Sequence, residues 1–185
     1  MMKKFLIASI ALLPVISFGQ KTPPAPMPDM PIDSITKLVS YSAVIAKPNT
    51  SQRELYFRAD AWIKSYFKNP TGVIQSMDTT KWTIELKHGF DTHKTTETGA
   101  TLIQATFKYS ITLNFKEGKF RYTITNFSKK DVTQFPVEKM LDDNDPHRDW
   151  NVEVLQQLDD HIMELLQSLK ARMDLPATSV KKDEW

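Results

Sequence analysis

The sequence predicts an α+β fold: one antiparallel sheet of five strands, in the order β-α-β-β-β-β-α, with two helices packed on one face. Three observations predict it. From Ile103 to Phe127 the chain reads as one long β-hairpin, because Ile103, Ala105, Phe107, Tyr109, Ile111, Leu113 and Phe115 fall on every second residue. That period of two is the mark of a half-buried strand. Leu55, Ala59, Trp62 and Tyr66 recur instead at helical spacing, as do Trp150, Val154, Leu158, Ile162, Leu165, Leu169 and Met173. Lengths then join these pieces. A helix from Trp150 to Met173 spans ~36 Å, and a strand from Ile103 to Phe115 ~43 Å before twist. The last helix can therefore cover most of the sheet, leaving the other face wet.

The hairpin specifies its own register. Glu117-Gly118 supplies a two-residue turn, since Gly adopts the positive φ that tight hairpin turns need. Phe115 then faces Phe120, Leu113 faces Tyr122 and Ile111 faces Ile124. On the opposite face Asn114 meets Arg121, Thr112 meets Thr123 and Ser110 meets Thr125. A slip by one residue would mix the two faces, so the sequence selects this pairing.

The remaining elements follow in chain order. Met1 to Lys4 is basic, Phe5 to Ile16 is apolar, and Ser17-Phe18-Gly19 puts small residues at a cleavage site. This is the layout of a secretory signal peptide over residues 1–19. The apolar run is shorter than the ~20 residues a spanning helix needs, so no membrane span is expected after cleavage. Residues 20–31 hold five prolines from Pro23 to Pro31 and read as a linker. Residues 32–173 form a single α+β domain, and residues 174–185 a frayed tail. Ile35 to Ala46 is a first strand. Ser51 to Glu54 is a capping box, with the Glu54 side chain reaching back, and its helix ends before Asn69-Pro70. Gly72 begins a short strand through Met77, and Trp82, Ile84 and Leu86 mark the next. His88 to Thr101 has no period and reads as a mobile loop. Ser128 to Asp149 reads as irregular apart from a helical turn at Val137 to Leu141, and Asp149 can cap the last helix.

Composition excludes much. There are no cysteines, hence no disulfides, thiolate metal sites or cysteine nucleophile. Removing Lys3 and Lys4 from the 24 basic residues leaves 22, equal to the 22 acidic ones. Lys108, Lys119, Arg121, Lys129 and Lys130 make a basic stripe, but Glu85 and Glu117 are expected beside it and the chain carries an export signal. No nucleic acid is expected as partner. His88, His93, His147 and His161 show no zinc-hydrolase spacing, Pro146 breaks any calcium loop across Asp142 to His147, and no phosphate loop or nucleophile elbow exists. No metal, cofactor or catalytic residue is assigned.

Leu55 to Trp62, the Thr106 to Phe115 strand and above all Gly118-Lys119-Phe120-Arg121-Tyr122-Thr123-Ile124 resemble a family of exported Bacteroidota proteins, a domain of unknown function (family 4468) with a TBP-like fold. The resemblance covers roughly residues 32–127. It implies that fold and a periplasmic or extracellular address, but no activity, and shape alone does not imply DNA binding.

The functional expectation is a non-enzymatic exported binding module. One version lines a pocket for a small apolar ligand with Trp62, Tyr66, Trp82, Phe107, Tyr109 and Tyr122. Another offers the wet β face, with Lys108, Asn114, Arg121 and Thr123, to a protein partner. The alternative is a hydrolase drawing acid and base from Asp142, Asp145 and His147. Its weakness is that a Pro-containing loop offers nothing to orient them.

Overall fold

The apolar alternation of the hairpin sets the sheet. In the computed structural model, which describes residues 24–177, it forms β4 (Thr101–Lys116) and β5 (Lys119–Lys130). Phe115 pairs with Phe120, Leu113 with Tyr122, Ile111 with Ile124, Asn114 with Arg121, Thr112 with Thr123 and Ser110 with Thr125, the register counted from the turn. Gly118 sits at φ 69°, as the turn requires. Phe107, Tyr109, Ile111, Leu113, Tyr122 and Ile124 are buried, and Arg121 is exposed.

Around this pair the other elements are β1 (Tyr41–Ala46), α1 (Gln52–Tyr66), the single turn α2 (Pro70–Val73), β2 (Ile74–Asp78), β3 (Thr83–Thr95), β6 (Gln134–Pro136), a 3-10 turn (Val137–Leu141) and α3 (Arg148–Met173). The sheet is antiparallel throughout, in the order β1-β5-β4-β3-β2, with β6 a sixth strand added to the far end of β5. Both long helices lie on the apolar face. Leu55, Ala59 and Ile63 of α1 and Leu158, Ile162, Leu165 and Leu169 of α3 are fully covered. Among the described residues no helix is long and apolar enough to cross a membrane.

Several expectations need correction. The segment from His88 is no loop: β3 runs to Thr95 and pairs with β4 as far as Thr101, leaving only residues 96–100 as a turn. Alternation persists there, but polar side chains occupy the inward positions. Thr92 is fully buried, its hydroxyl bonded to the Ala105 N–H and C=O. A bulge then sets Thr92 opposite Ala105 and His93 opposite Ile103, so Gln104 is the extra residue. Parity flips at that point. Gln104 turns toward α3, where its amide meets Glu153 and Gln157, and Ile103 becomes 61% exposed instead of joining the apolar face.

The first strand is shorter than Ile35 to Ala46. Asp33 Oδ1 accepts the Ile35 and Thr36 N–H groups in a turn, and Lys37 takes φ 61°, so regular pairing starts at Tyr41. Gly72 lies in α2, whose N-terminal Asn69 accepts the Gly72 N–H. Pro70 at the first helical position favours that turn over a strand. The Ser51 hydroxyl caps α1 by accepting from the Glu54 N–H at 3.1 Å. Glu54 itself does not reach back; Arg58 and the Ala177 N–H take its carboxylate. The last helix starts at Arg148, so Asp149 lies inside it and His147 is at the cap position without a capping side chain. The stretch after Ser128 is less irregular than expected, since β5 continues to Lys130 and β6 follows.

The proline-rich segment also touches the domain. Met30 is buried in the core, and Arg148 donates to the Ala25 carbonyl. The signal peptide read over residues 1–19 and the tail from residue 178 lie outside the described residues.

Leu113→Ala removes a fully buried side chain from the middle of the hairpin. It should lower stability in urea titration by about 2–5 kcal/mol. Thr112→Ala, one residue away on the open face, should cost under about 1 kcal/mol.

Candidate functional site

On the covered side of the sheet the aromatic candidates pack into the core and against one another. Trp62, Phe107, Tyr109 and Tyr122 are buried, and Tyr66 and Trp82 partly so. Trp62 stacks on Tyr66 with ring centres 5.5 Å apart, and its Nε1–H donates to Ser168 Oγ on α3. Trp82 meets Tyr56 edge-on at 5.6 Å, and Tyr56 in turn meets Phe115. Surface cavities of 630, 660, 380 and 440 Å³ include Tyr109 in one lining and none of the other five. These stacked and edge-to-face pairs are the arrangements that aromatic rings favour in a core.

Within that core lies one polar knot. Tyr109 Oη is 3.0 Å from His88 Nδ1 on β3 and 2.7 Å from His161 Nε2 on α3. A phenol has a single proton, so it donates to one imidazole and accepts N–H from the other. Phe90 stacks on His161 at 4.0 Å, and Phe67 meets His88 edge-on at 4.9 Å. Burial, with the His88 charge adding to it, pushes His161 down to about 4. Burial also lowers His88 and raises the Tyr109 phenol. Both imidazoles are therefore neutral near pH 7 and act as hydrogen-bond partners. The reading of His88 as part of a loop concealed this knot, yet its even spacing from Ile84 and Leu86 marks the inward face.

Neither long helix lies on the other face of the sheet; only the single turn α2 borders it. Lys108, Asn114, Arg121 and Thr123 all lie there, Thr123 sharing a hydrogen bond with Ser42 and Asn114 donating to Thr83. Two hollows interrupt this face. The larger, 630 Å³, is lined by Gly72, Lys87, Gly89, Lys108, Ser110, Asn126, Ser128 and Gln134, with His88, Tyr109 and Val73 beneath. It owes its shape to a bulge. Lys108 pairs with Ser128 and Ser110 with Thr125, so Tyr109 alone faces both Asn126 and Phe127. Asn126 takes φ 58° there, a conformation Asn tolerates better than most residues. The smaller hollow, 380 Å³, is lined by Val44, Lys81, Asn114, Phe115, Lys116, Lys119, Phe120 and Arg121. Neither lining includes a carboxylate. Among the described residues Lys87, Lys108, Lys116, Lys119 and Arg121 form no salt bridge, and Lys81 only a long one to Asp78 at 3.9 Å.

The loop acids are already engaged. Asp142 Oδ1 accepts the Asn144 N–H, and Asp145 Oδ1 accepts the His147 N–H, which holds the Asp145 carboxyl below the usual range. The His147 side chain is 80% exposed, 3.5 Å from Asp145. A carboxylate held ionised by its turn is a poor proton donor at neutral pH. Among the described residues no group of three or more His, Asp or Glu could hold a metal ion.

Residues 41–130, which contain the hairpin, β1 to β5 and both open-face hollows but for Gln134, match the family model described as a domain of unknown function (DUF4468) with TBP-like fold. The chain is similar to a TBP-like protein from Parabacteroides distasonis, at 13% identity and TM-score 0.55, covering 76% of this chain and 97% of that one. It is similar also to a DUF4468 family protein from Bacteroides ovatus, at 17% identity and TM-score 0.58, covering 80% and 92%. At such identities the likeness shows the fold alone. No curated protein matches the sequence.

The buried knot makes the stability of the fold depend on pH. A histidine in the unfolded chain titrates near 6.5, and folded His161 only at about 4. As pH falls through that window the unfolded state takes up the proton first, so stability is lost between about pH 6.5 and 4 and is unaffected above it. Urea midpoints should fall from about pH 7.5 to 4.5. In His161→Gln, which keeps a hydrogen-bonding amide without a titrating ring, the decline over this interval should be smaller.

Proposed function

We propose that the protein is a non-enzymatic binding module that acts after export, in the periplasm or outside the cell, and holds an acidic segment of a partner protein on the open face of its sheet. One observation supports this most. Five cations without a salt bridge among the described residues, together with Lys81, line two hollows on the face opposite the long helices, with no carboxylate in either lining, in a chain whose charges balance once the leader's lysines are set aside. Glu85 and Asp91 share the face, and the Thr106 hydroxyl occupies Asp91. Such one-sided charge steers an oppositely charged partner and fixes its orientation. The interlocked aromatic core favours this reading over an apolar ligand, and the occupied loop carboxylates favour it over a hydrolase.

The test uses the full chain and a fluorescent decaglutamate peptide, followed by anisotropy at low salt. Lys87→Glu with Lys108→Glu should weaken binding roughly tenfold or more. Thermal unfolding should barely change, because both side chains are exposed. Salt above about 0.1 M should weaken the wild-type complex. Equal binding by the double variant, or equal affinity for decalysine, would contradict the proposal.

A further inference from the structure

The smaller hollow of the open face gathers Lys81, Lys116, Lys119 and Arg121 around Asn114 and Val44. Apart from the long contact of Lys81 to Asp78, these cations form no salt bridge among the described residues. Lysines elsewhere do: Lys47 meets Asp174, Lys64 meets Asp60 and Lys94 meets Glu153. The hairpin register makes the crowding unfavourable. Lys116 stands directly opposite Lys119, with Arg121 opposite Asn114 in the next pair on the same face. Like charges directly opposed across a β-pair destabilise it.

The fold nevertheless holds these cations in place. The turn between Lys116 and Lys119 is clamped by the connection from β1 to α1. The Lys47 N–H donates to the Gly118 carbonyl at 2.8 Å, and the Gly118 N–H to the Thr50 carbonyl at 3.0 Å. The Gln52 side-chain amide donates to the Phe115 carbonyl at 2.6 Å. Glu117, the turn's own acid, is drawn off to the start of α1, where its carboxylate accepts the Gln52 N–H at 3.0 Å, and it is absent from the hollow's lining. On the opposite side Trp82 takes φ 52°, a strained conformation for a bulky residue. Its carbonyl accepts the Phe115 N–H and its ring is anchored against Tyr56, which fixes the chain where Lys81 borders the hollow. Like charges held together against their repulsion, with the turn's acid tied away, call for an anion.

The number and kind of donors say which anion. A side-chain carboxylate brings a single charge and two oxygens, and so answers one arginine fork or one lysine. A phosphate monoester brings a charge of about −1.5 to −2 near neutral pH and three acceptor oxygens. That matches the planar fork of Arg121 joined by lysines acting as point charges. Asn114 gives one amide proton to Thr83 and keeps the other. The volume of 380 Å³ lies at the small end of the range of about 300–1,000 Å³ usual for small-molecule sites. Val44, 52% exposed, offers the same hollow an apolar contact for the carbon body of an ester.

We infer that this hollow binds a phosphate monoester as its dianion, with Arg121, Lys116 and Lys119 on the phosphoryl oxygens and Val44 against the carbon chain. The inference rests on the reading of the open face as the binding face, and it narrows one of the two hollows there to a single chemistry.

Amide NMR of the full chain, titrated with glycerol 3-phosphate at about pH 7.5, tests this. Saturable shifts should centre on Asn114 to Arg121. Dimethyl phosphate, with one charge on the same centre, and acetate should each bind about tenfold more weakly. Lys119→Gln with Arg121→Gln should weaken glycerol 3-phosphate roughly tenfold or more. The thermal midpoint of that variant should be unchanged or raised, because repulsion across the turn is relieved. Lys81→Gln, outside the hairpin, is a second variant and should weaken binding as well, whereas Lys87→Glu with Lys108→Glu should leave it intact. The inference is overturned by the lack of any saturable shift at millimolar ester, by equal binding of dimethyl phosphate, or by binding that survives both the hairpin variant and Lys81→Gln. The decaglutamate assay separates the two readings. Peptide bound without response to glycerol 3-phosphate overturns this inference alone, and the reverse overturns only the acidic-segment reading. Vesicles of phosphatidylcholine with phosphatidic acid decide where the monoester comes from. Pelleting of the chain with them, at phosphate concentrations too low for glycerol 3-phosphate to bind, assigns a lipid headgroup; otherwise a bound glycerol 3-phosphate assigns a soluble ester.

Discussion

The fold depends on the apolar pairing of β4 with β5 beneath α3. Phe107, Tyr109, Ile111 and Leu113 from one strand, and Phe120, Tyr122 and Ile124 from the other, form a continuous buried stripe. Leu158, Ile162, Leu165 and Leu169 of α3 supply its cover, and α1 packs beside α3 with Arg58 donating to the Met173 carbonyl. A two-stranded ribbon alone is marginal in water, and it becomes stable when a helix buries one face. β3 and β1 then add to edges that already exist, through registers the central pair dictates.

That same cover separates the two faces chemically. On the closed side polar groups must find partners inside, and most do: His88, Tyr109 and His161 satisfy one another, as do Thr92 and the Ala105 backbone. On the open side the alternate residues of the same strands present Lys87, Lys108 and Arg121 to water with no such obligation. The bulge at Asn126 is where the two requirements meet. It lets Phe127 turn inward against Tyr41 and Tyr109, and on the outer face it shapes the larger hollow.

Where a residue's chemistry and its position in the period agreed, the structure was legible in the sequence. The hairpin register was readable from Phe115, Leu113 and Ile111, and the helices from Leu55–Trp62 and Val154–Met173. The open-face positions of Lys108, Asn114, Arg121 and Thr123 follow from the same parity. Legibility failed where polar residues face inward. His88 and Thr92 break the hydropathy alternation that they still obey geometrically. The bulges at Gln104 and Asn126 answer to the covering helix and neighbouring strands, so local sequence does not announce them. β6 is three residues long and exists because β5 offers it an edge, which brought Gln134 to a hollow no period could indicate.

If the β4–β5 pair under α3 is what the rest depends on, its amides should open last. Native-state hydrogen exchange, resolved residue by residue, measures this directly. The slowest exchange should fall on Tyr109 to Leu113 and Tyr122 to Ile124, at the free energy of global unfolding, with β2 and β6 opening well below it. Slowest exchange in α1 and α3, with the hairpin amides opening at a lower free energy, would contradict the account.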